Sequence, residues 1–199
     1  MRILSILNHK GGVGKTTFTG SLGQALALSG HRVCVIDNDS QHNLSSLYGT
    51  GVQTPSIRDC YLAHKNDAPA LLLKSIRKTA LPDLHIITSD KLLCDADCSD
   101  IFHLKHAIEA CHLERYYDFV LIDNAPGLAR LQGISICTAK EILVPIELKQ
   151  FAVDGLVEMA ETISEHYSDG ATITRIIPNF FKNTKRQRTF LAALEQLFL

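Results

Sequence analysis

The sequence lacks the features that mark membrane proteins, nucleic-acid coats and low-complexity chains. Its 199 residues contain no run of about 18 apolar residues, so no membrane-spanning helix is expected. Charge is balanced, with 20 Lys and Arg against 21 Asp and Glu, which excludes a uniformly basic or acidic chain. The opening residues are too short for a signal peptide, and repeats and linker-like segments are absent. We therefore expect one cytoplasmic domain over residues 1–199.

Common signatures of zinc sites and serine hydrolases are also missing. There is neither a Cys-x-x-Cys pair nor a Gly-x-Ser-x-Gly elbow. The six cysteines are scattered, and in a reducing compartment we expect free thiols. A loose group without standard zinc spacing predicts solvated or half-buried side chains rather than a metal centre; its members are Cys94, Cys98, His103, His106, Cys111 and His112.

Short apolar runs alternate with helical patterns along the chain. Six runs rich in Ile and Val predict strands: Ile3–Leu7, Val33–Ile36, Leu84–Ile87, Phe119–Ile122, Ile142–Ile146 and Ile173–Ile177. Because the runs are mostly continuous rather than alternating, we expect strands buried on both faces. Helical spacing follows in Phe18–Ser29, Leu104–Leu113 and Val153–His166. The pattern predicts an α/β fold with a doubly wound, mainly parallel sheet flanked by helices. The stretch Thr50–Asp83, broken by prolines, gives no clear prediction.

The strongest motif is a glycine-rich loop between the first strand and the first helix. Glycines let the backbone turn tightly and aim N–H groups at phosphate, and the new helix adds its positive end. Lys15 is placed to neutralise the β- and γ-phosphates, and Thr16 offers a hydroxyl to Mg²⁺. The predicted nucleotide-binding residues of the loop are Gly11, Gly12, Val13, Gly14, Lys15, Thr16 and Thr17.

Lys10 carries a resemblance to a known family. The string from Lys10 to Thr17 resembles the deviant Walker A motif of the ParA/MinD ATPases, because a lysine precedes paired glycines. The resemblance implies a catalytic Lys10 that reaches the nucleotide of a partner subunit in an ATP-dependent homodimer. It also implies ATP and Mg²⁺ as ligands. The alternative is a solvated lysine beside a polyanion site.

Three aspartates follow predicted strands. The segment from Asp37 to Gln41 resembles the family's Asp-x-Asp-Pro-Gln, with Ser40 in place of proline. This implies that Asp39 positions the attacking water, with Lys15 and Lys10 as the other catalytic residues, and that Asp37 supports the metal. The alternative for Asp39 is a helix cap. Asp123 ends an apolar strand in a Walker B pattern and is predicted to hold Mg²⁺. After it, only Pro126 matches the family.

The last third of the chain adds a base site and a basic cluster. Asn179 follows the last predicted strand, where the wider family that includes the nitrogenase iron protein has an adenine-binding Asn; a turn asparagine is the alternative. From Gly170 to Leu199 there are five basic residues and one acidic residue. By the resemblance, nonspecific DNA would bind four of them: Lys182, Lys185, Arg186 and Arg188. A solvated helix start is the competing interpretation.

The resemblance implies a switch. A ParA-like ATPase would bind nucleoid DNA as an ATP dimer and would be released when a ParB-like or other partner stimulates hydrolysis. This cycle would partition a plasmid or chromosome. One alternative is a MinD-like ATPase that positions another cargo on a nucleoid or membrane surface, and a metal-cluster ATPase is another. The segment Phe190–Leu199 carries Glu195 as its only charge, so we do not expect membrane binding. Family members usually continue beyond this point, so we expect the domain to be short at its C-terminus.

Overall fold

The computed structural model describes residues 1–149 and 152–198. Within them lies a seven-stranded sheet whose strands are β1 (Arg2–Ile6), β2 (Val33–Asn38), β3 (Ile76–Lys78), β4 (Leu84–Ile87), β5 (Phe119–Asn124), β6 (Glu141–Glu147) and β7 (Thr172–Asn179). Their spatial order is β3-β4-β2-β5-β1-β6-β7. All the pairings are parallel except β3 with β4. The predicted fold class and all six predicted strands are confirmed.

The described residues also form eight α-helices, of which the last follows β7. They are α1 (Lys15–Leu28), α2 (Asn43–Leu47), α3 (Ile57–Leu62), α4 (Ala68–Lys74), α5 (His103–Ala110), α6 (Arg130–Thr138), α7 (Ala152–His166) and α8 (Lys185–Phe198). The stretch that gave no clear prediction holds α3, α4 and the antiparallel strand β3. Among residues 1–149 and 152–198, no helix is both long and apolar enough to cross a membrane.

The two faces of the sheet bury separate sets of side chains. On β2, Val33 and Val35 pack in one cluster with Ala27 of α1, whereas Cys34 and Ile36 pack in the other. All four of these β2 residues are fully buried. Successive residues of a strand point to opposite faces, so a strand covered by helices on both sides must be apolar at every position. This explains the continuous apolar runs.

The carboxyl ends of the parallel strands meet at one edge of the sheet. In open α/β sheets this edge is where ligands bind. The loop after β1 and the aspartates that end β2 and β5 therefore converge there. Asp37 and Asp123 are direct register partners across the β2–β5 ladder.

Candidate functional site

The glycine-rich loop connects β1 to α1 in a conformation that only glycine adopts at low cost. Gly12 has φ 73° and Gly14 has φ 94°, both in the left-handed region. Asn8 holds the start of the loop: its Oδ1 accepts a hydrogen bond from the Lys10 N–H at 2.9 Å, and its Nδ2 donates to the Pro145 carbonyl at 2.8 Å. Asn8 is not among the predicted site residues, because a lone polar residue at a strand end carries no distinct sequence signal.

Lys15 lies at the centre of the site and is nearly buried, with 6% of its surface exposed. Its Nζ donates to the Lys10 carbonyl at 3.1 Å. Burial lowers the pKa of the Lys15 ammonium, and the nearby carboxylates of Asp123 and Asp39 partly offset this effect. Because little water surrounds the Lys15 ammonium, its attraction for a bound phosphate is screened only weakly.

The loop forms one wall of an open cleft of about 480 Å³. The cleft brings together most of the predicted phosphate-binding residues and Asp39, along with several that sequence analysis did not select. It is lined by Gly12, Gly14, Lys15, Thr16, Thr17, Asp39, Asn43, Leu47, Asn124, Pro126 and Phe180. Gly11 lies beside Pro126, and Val13 is buried beneath the loop.

Asp123 is fully buried at the end of β5. The Thr19 hydroxyl donates to its Oδ1 at 3.1 Å, whereas its Oδ2 has no hydrogen-bond partner in the described residues. Burial raises the pKa of Asp123 to about 7, with the Thr16 hydroxyl beside it opposing the rise. A buried carboxylate oxygen that no described residue satisfies, next to a threonine hydroxyl, fits Mg²⁺, which takes oxygen ligands and keeps several waters. Thr16 and Asp123 are the residues that would hold it.

Asp37 is also fully buried, but its carboxylate is used within the protein. Its Oδ2 accepts hydrogen bonds from the Ser45 hydroxyl at 2.7 Å and the Ser45 N–H at 2.8 Å. Its Oδ1 accepts from the Asp39 N–H at 3.3 Å. Burial raises the pKa of Asp37 to about 6, and the Ser45 hydrogen bonds oppose this rise. Asp37 thus fixes Ser45 in the first turn of α2, the helix whose Asn43 and Leu47 line the cleft.

Asp39 lies on the cleft wall opposite the loop, with 7% of its surface exposed. Its Oδ1 accepts a hydrogen bond from the Gln41 N–H at 3.0 Å, which holds the carboxylate in a turn. The Asp39 carboxylate also lies near enough to Lys15 to raise the pKa of that ammonium. Such a group can accept a proton or orient a water there.

Asn124 follows Asp123 and anchors the end of β5 in a buried polar network. Its Nδ2 donates to Ser5 Oγ at 3.0 Å and Ser135 Oγ at 3.1 Å, and its Oδ1 accepts from Asn38 Nδ2 at 3.0 Å. Asn38 Oδ1 in turn accepts from the Tyr61 hydroxyl at 3.0 Å. The network fixes the strand ends that carry the two buried aspartates, and no sequence signal identified it.

Asn179 lies against the phosphate loop. Its Nδ2 donates to the Val13 carbonyl at 2.9 Å, and its Oδ1 accepts from the Phe180 N–H at 2.9 Å. An amide has two N–H donors and two acceptor lone pairs, so one of each remains for another partner. Adenine binding by Asn179 stays a prediction, and the structure adds a second role, support of the loop.

Lys10 lies on the side of the loop that faces α7. If Gly155 carried a methyl group, that group would lie 3.6 Å from Lys10 Cε and 2.9 Å from His9 Cε1. His9 and Lys10 line a pocket of about 240 Å³ with Ala152, Leu156 and Met159. Lys10 thus lies next to α7 of its own chain, and its predicted reach into a partner's site stays a prediction.

The four predicted DNA-binding residues lie together at the start of α8. Lys182 precedes the helix, Lys185, Arg186 and Arg188 lie in its first turn, and all four are exposed. The first turn holds no acidic residue. Because a helix N-terminus is itself positive, the dipole adds to these side-chain charges.

The Cys and His side chains of residues 94–112 do not assemble into a metal site. Cys98 is buried and Cys94 exposed, and His103 Nε2 bonds to the Cys60 carbonyl at 2.9 Å. Among residues 1–149 and 152–198, no three His, Cys, Asp or Glu side chains are arranged to hold a metal ion.

Comparison with known proteins agrees with this geometry. A family model described as an AAA domain matches residues 1–174. The chromosome partitioning protein ParA of Caulobacter vibrioides is 36% identical over 174 residues, covering 82% of this chain and 62% of that protein. The chain thus aligns with less than two thirds of that relative's length.

Solved structures show the same fold. The ATP complex of a Cyanothece McdA variant superposes with a TM-score of 0.81 at 25% identity, over 98% of this chain and 78% of that one. The Pyrococcus horikoshii MinD complex with Mg-ADP gives a TM-score of 0.75 at 26% identity, over 93% and 72% of the two chains. The phosphate loop, the buried aspartates and these relatives together show that the chain belongs to the ParA/MinD family of P-loop ATPases.

Proposed function

We propose that this protein is a ParA-like partition ATPase that binds ATP with Mg²⁺, dimerises, and holds nonspecific DNA until a partner protein stimulates hydrolysis. The observation that carries the proposal is the position of Lys15, buried at the floor of the cleft between Asp39 and Asp123. Phosphoryl transfer uses a charge pattern of this kind: one cation, one carboxylate on the cleft wall, and one buried carboxylate with an oxygen that has no partner among the described residues.

Each residue of the proposed site has a distinct task. The loop N–H groups and Lys15 bind phosphate oxygens, Thr16 and Asp123 hold the metal, and Asp39 orients the water. Mg²⁺, when bound, neutralises negative charge on the phosphates. Asp37 keeps α2 against the site, and Lys10 stabilises phosphate charge in the partner subunit. Residues 1–199 form one domain in this proposal.

The proposed DNA surface is the start of α8. Its exposed cations and the positive end of the helix are suited to phosphate oxygens, which carry no sequence information. A surface of this kind binds any duplex and loses affinity as salt rises. Dimerisation doubles the number of phosphate contacts, which couples DNA binding to ATP and places the ATP-bound form on the nucleoid.

The deciding experiment is binding to a random-sequence duplex without nucleotide, with ADP, and with ATP, each across a salt series. We expect binding only with ATP, and a steep decrease as salt rises. Lys10→Ala should abolish ATP-dependent dimerisation and, with it, DNA binding. The triple variant Lys185→Ala, Arg186→Ala, Arg188→Ala should still dimerise but should not bind DNA.

A charge-matched control is available at the opposite edge of the sheet. Lys65, Lys74 and Lys78 are exposed and lie in or next to α4 and β3, whereas α8 follows β7. Replacing these three lysines with Ala removes the same charge and should leave DNA binding unchanged. An equal loss of DNA affinity in both triple variants would show that net charge, and not the position of the charges on α8, determines DNA binding. An absence of binding with every nucleotide would refute the DNA proposal.

A further inference from the structure

Phe180 is a large aromatic side chain that lines the cleft and remains half exposed. Its exposed fraction is 50%, and it shares the cleft wall with Gly12, Gly14 and Lys15. Its ring edge approaches the loop, since Cζ would lie 3.9 Å from a methyl group at Gly14. One part of the ring thus rests on the phosphate loop while the rest faces the open cleft.

The backbone at Phe180 is strained and is held by specific hydrogen bonds. Its φ of 54° lies in the left-handed region, where a bulky residue costs roughly 1–2 kcal/mol. The Phe180 N–H donates to Asn179 Oδ1 at 2.9 Å, and Gln187 Nε2 donates to the Phe180 carbonyl at 3.4 Å. A glycine would adopt this turn at less cost, so the position of the ring is a candidate reason for the strain.

The order of the strands fixes which end of a nucleotide Phe180 can meet. Asp39 follows β2 and Asp123 lies near the end of β5, both on one side of β1, whereas Phe180 follows β7, on the other side. From β5 to β7 there are three strand spacings, or about 14 Å. If the terminal phosphate lies at the aspartates and Lys15 binds the phosphates next to it, the other end of the nucleotide extends toward β7. That end carries the ribose and the base.

We propose that Phe180 is the surface on which the base of the bound nucleotide stacks, with Asn179 at the edge of the same base. This inference rests on the proposed nucleotide site and adds the residue that binds its base. Stacking on an aromatic face contributes affinity for any base, because every base has a π face. Discrimination between bases is then the task of the free N–H and lone pair of Asn179.

The test compares ATP with inorganic tripolyphosphate, which has the phosphates without the base. Phe180→Ala should weaken Mg-ATP binding about tenfold, the size of one lost stacking contact, and leave tripolyphosphate binding unchanged. Phe181 is the matched control, since it is the adjacent phenylalanine and 43% exposed. Phe181→Ala should bind both ligands as the parent does.

A spectroscopic readout is available because the chain contains no tryptophan. Phe180→Trp introduces a single indole at the proposed stacking surface. We expect its fluorescence to be quenched by ATP and unaffected by tripolyphosphate, with ATP affinity close to that of the parent. Phe180→Gly, which relieves the backbone strain, should lose the same affinity as Phe180→Ala.

Other outcomes separate this inference from the proposed site. Equal loss of ATP and tripolyphosphate in Phe180→Ala would show that the ring only supports the loop, and would overturn the inference. Unchanged ATP affinity in that variant would overturn it as well. A parent protein that binds neither ligand would refute the nucleotide site itself, and the inference with it.

Discussion

Asp37 and Asp123 are register partners at the ends of β2 and β5 and are both fully buried, yet their carboxylates differ in how many hydrogen bonds they accept. Asp37 accepts two hydrogen bonds from Ser45 and one from the Asp39 N–H. Asp123 accepts one from Thr19 and keeps one oxygen without a partner in the described residues. The structure thus assigns fold support to Asp37 and leaves Asp123 available for a ligand.

The first prediction concerns the cost of keeping Asp123 buried. Its folded pKa of about 7 lies above the ordinary value of 3.8, so the unfolded chain ionises first as pH rises. Below pH 3.8 both states are protonated and the group contributes nothing to stability. Between pH 3.8 and 7 its penalty on the folded state grows, and above pH 7 the penalty is complete.

Asp123→Asn should therefore stabilise the nucleotide-free protein at pH 8, by on the order of 2–4 kcal/mol, and have little effect at pH 4. The Asn side-chain oxygen can still accept the Thr19 hydrogen bond. Urea unfolding at the two pH values measures the difference. The same variant should lose the gain in nucleotide affinity that Mg²⁺ gives the parent. A variant less stable than the parent at pH 8 would contradict this account of the site.

The second prediction concerns the network at Asn124. Asn124→Ala removes one hydrogen-bond partner from each of Asn38, Ser5 and Ser135. Asn38 keeps the Leu131 carbonyl and the two serines keep their bond to each other, so the change should cost roughly 1–3 kcal/mol of unfolding free energy. Chemical denaturation checks the value. Asn66→Ala, at an exposed turn, is the control and should change stability by less than about 0.5 kcal/mol. Similar losses in the two variants would show that the network contributes nothing specific.

Much of the fold follows from patterns that are local in sequence. The buried strands carry continuous Ile and Val runs because both faces of the sheet are covered, so their positions could be predicted. The strand β3 could not, because its three residues Ile76–Lys78 are too few to form a pattern. It forms only through antiparallel pairing with β4.

The site residues also separate into those that local sequence patterns predict and those that depend on tertiary contacts. The phosphate loop and Asp123 follow from spacing, since glycine positions and strand ends determine them. Asn8, Asn38 and Asn124 act through hydrogen bonds to residues distant in sequence, such as the 2.8 Å bond from Asn8 to the Pro145 carbonyl. Phe180 depends on a backbone conformation that is unusual for phenylalanine. Contacts of this kind are set by tertiary structure, and a single sequence does not reveal them.

The third prediction tests the packing of the loop on α7. A methyl group at Gly155 would lie 2.9 Å from His9 Cε1, so Gly155→Ala requires the His9 ring, at the start of the loop, to move away from α7. We expect a severalfold loss of nucleotide affinity with little change in melting temperature. The double variant Gly155→Ala, His9→Ala removes the clash and should recover affinity relative to the Gly155→Ala variant. If nucleotide affinity does not recover in the double variant, the loss comes from a change in α7 and not from the contact with His9.

The fourth prediction compares two glycines of one loop. Both have positive φ, so replacing either with Ala incurs backbone strain of roughly 1 kcal/mol. At Gly12 the added methyl group would have no atom of residues 1–149 and 152–198 within 4 Å, whereas at Gly14 it would overlap Asn179 Nδ2. Gly14→Ala must therefore displace Asn179 from the Val13 carbonyl and with it the turn that holds Phe180.

Since Gly12→Ala shares the backbone strain but not the clash, the difference between the two variants isolates the contact of the loop with Asn179. We expect Gly14→Ala to lose at least tenfold more ATP affinity than Gly12→Ala, with both variants folded by circular dichroism. The excess loss should be smaller for tripolyphosphate than for ATP, because Asn179 and Phe180 lie at the base end of the cleft. Equal affinities in the two variants would show that the Asn179–loop contact does not affect nucleotide binding.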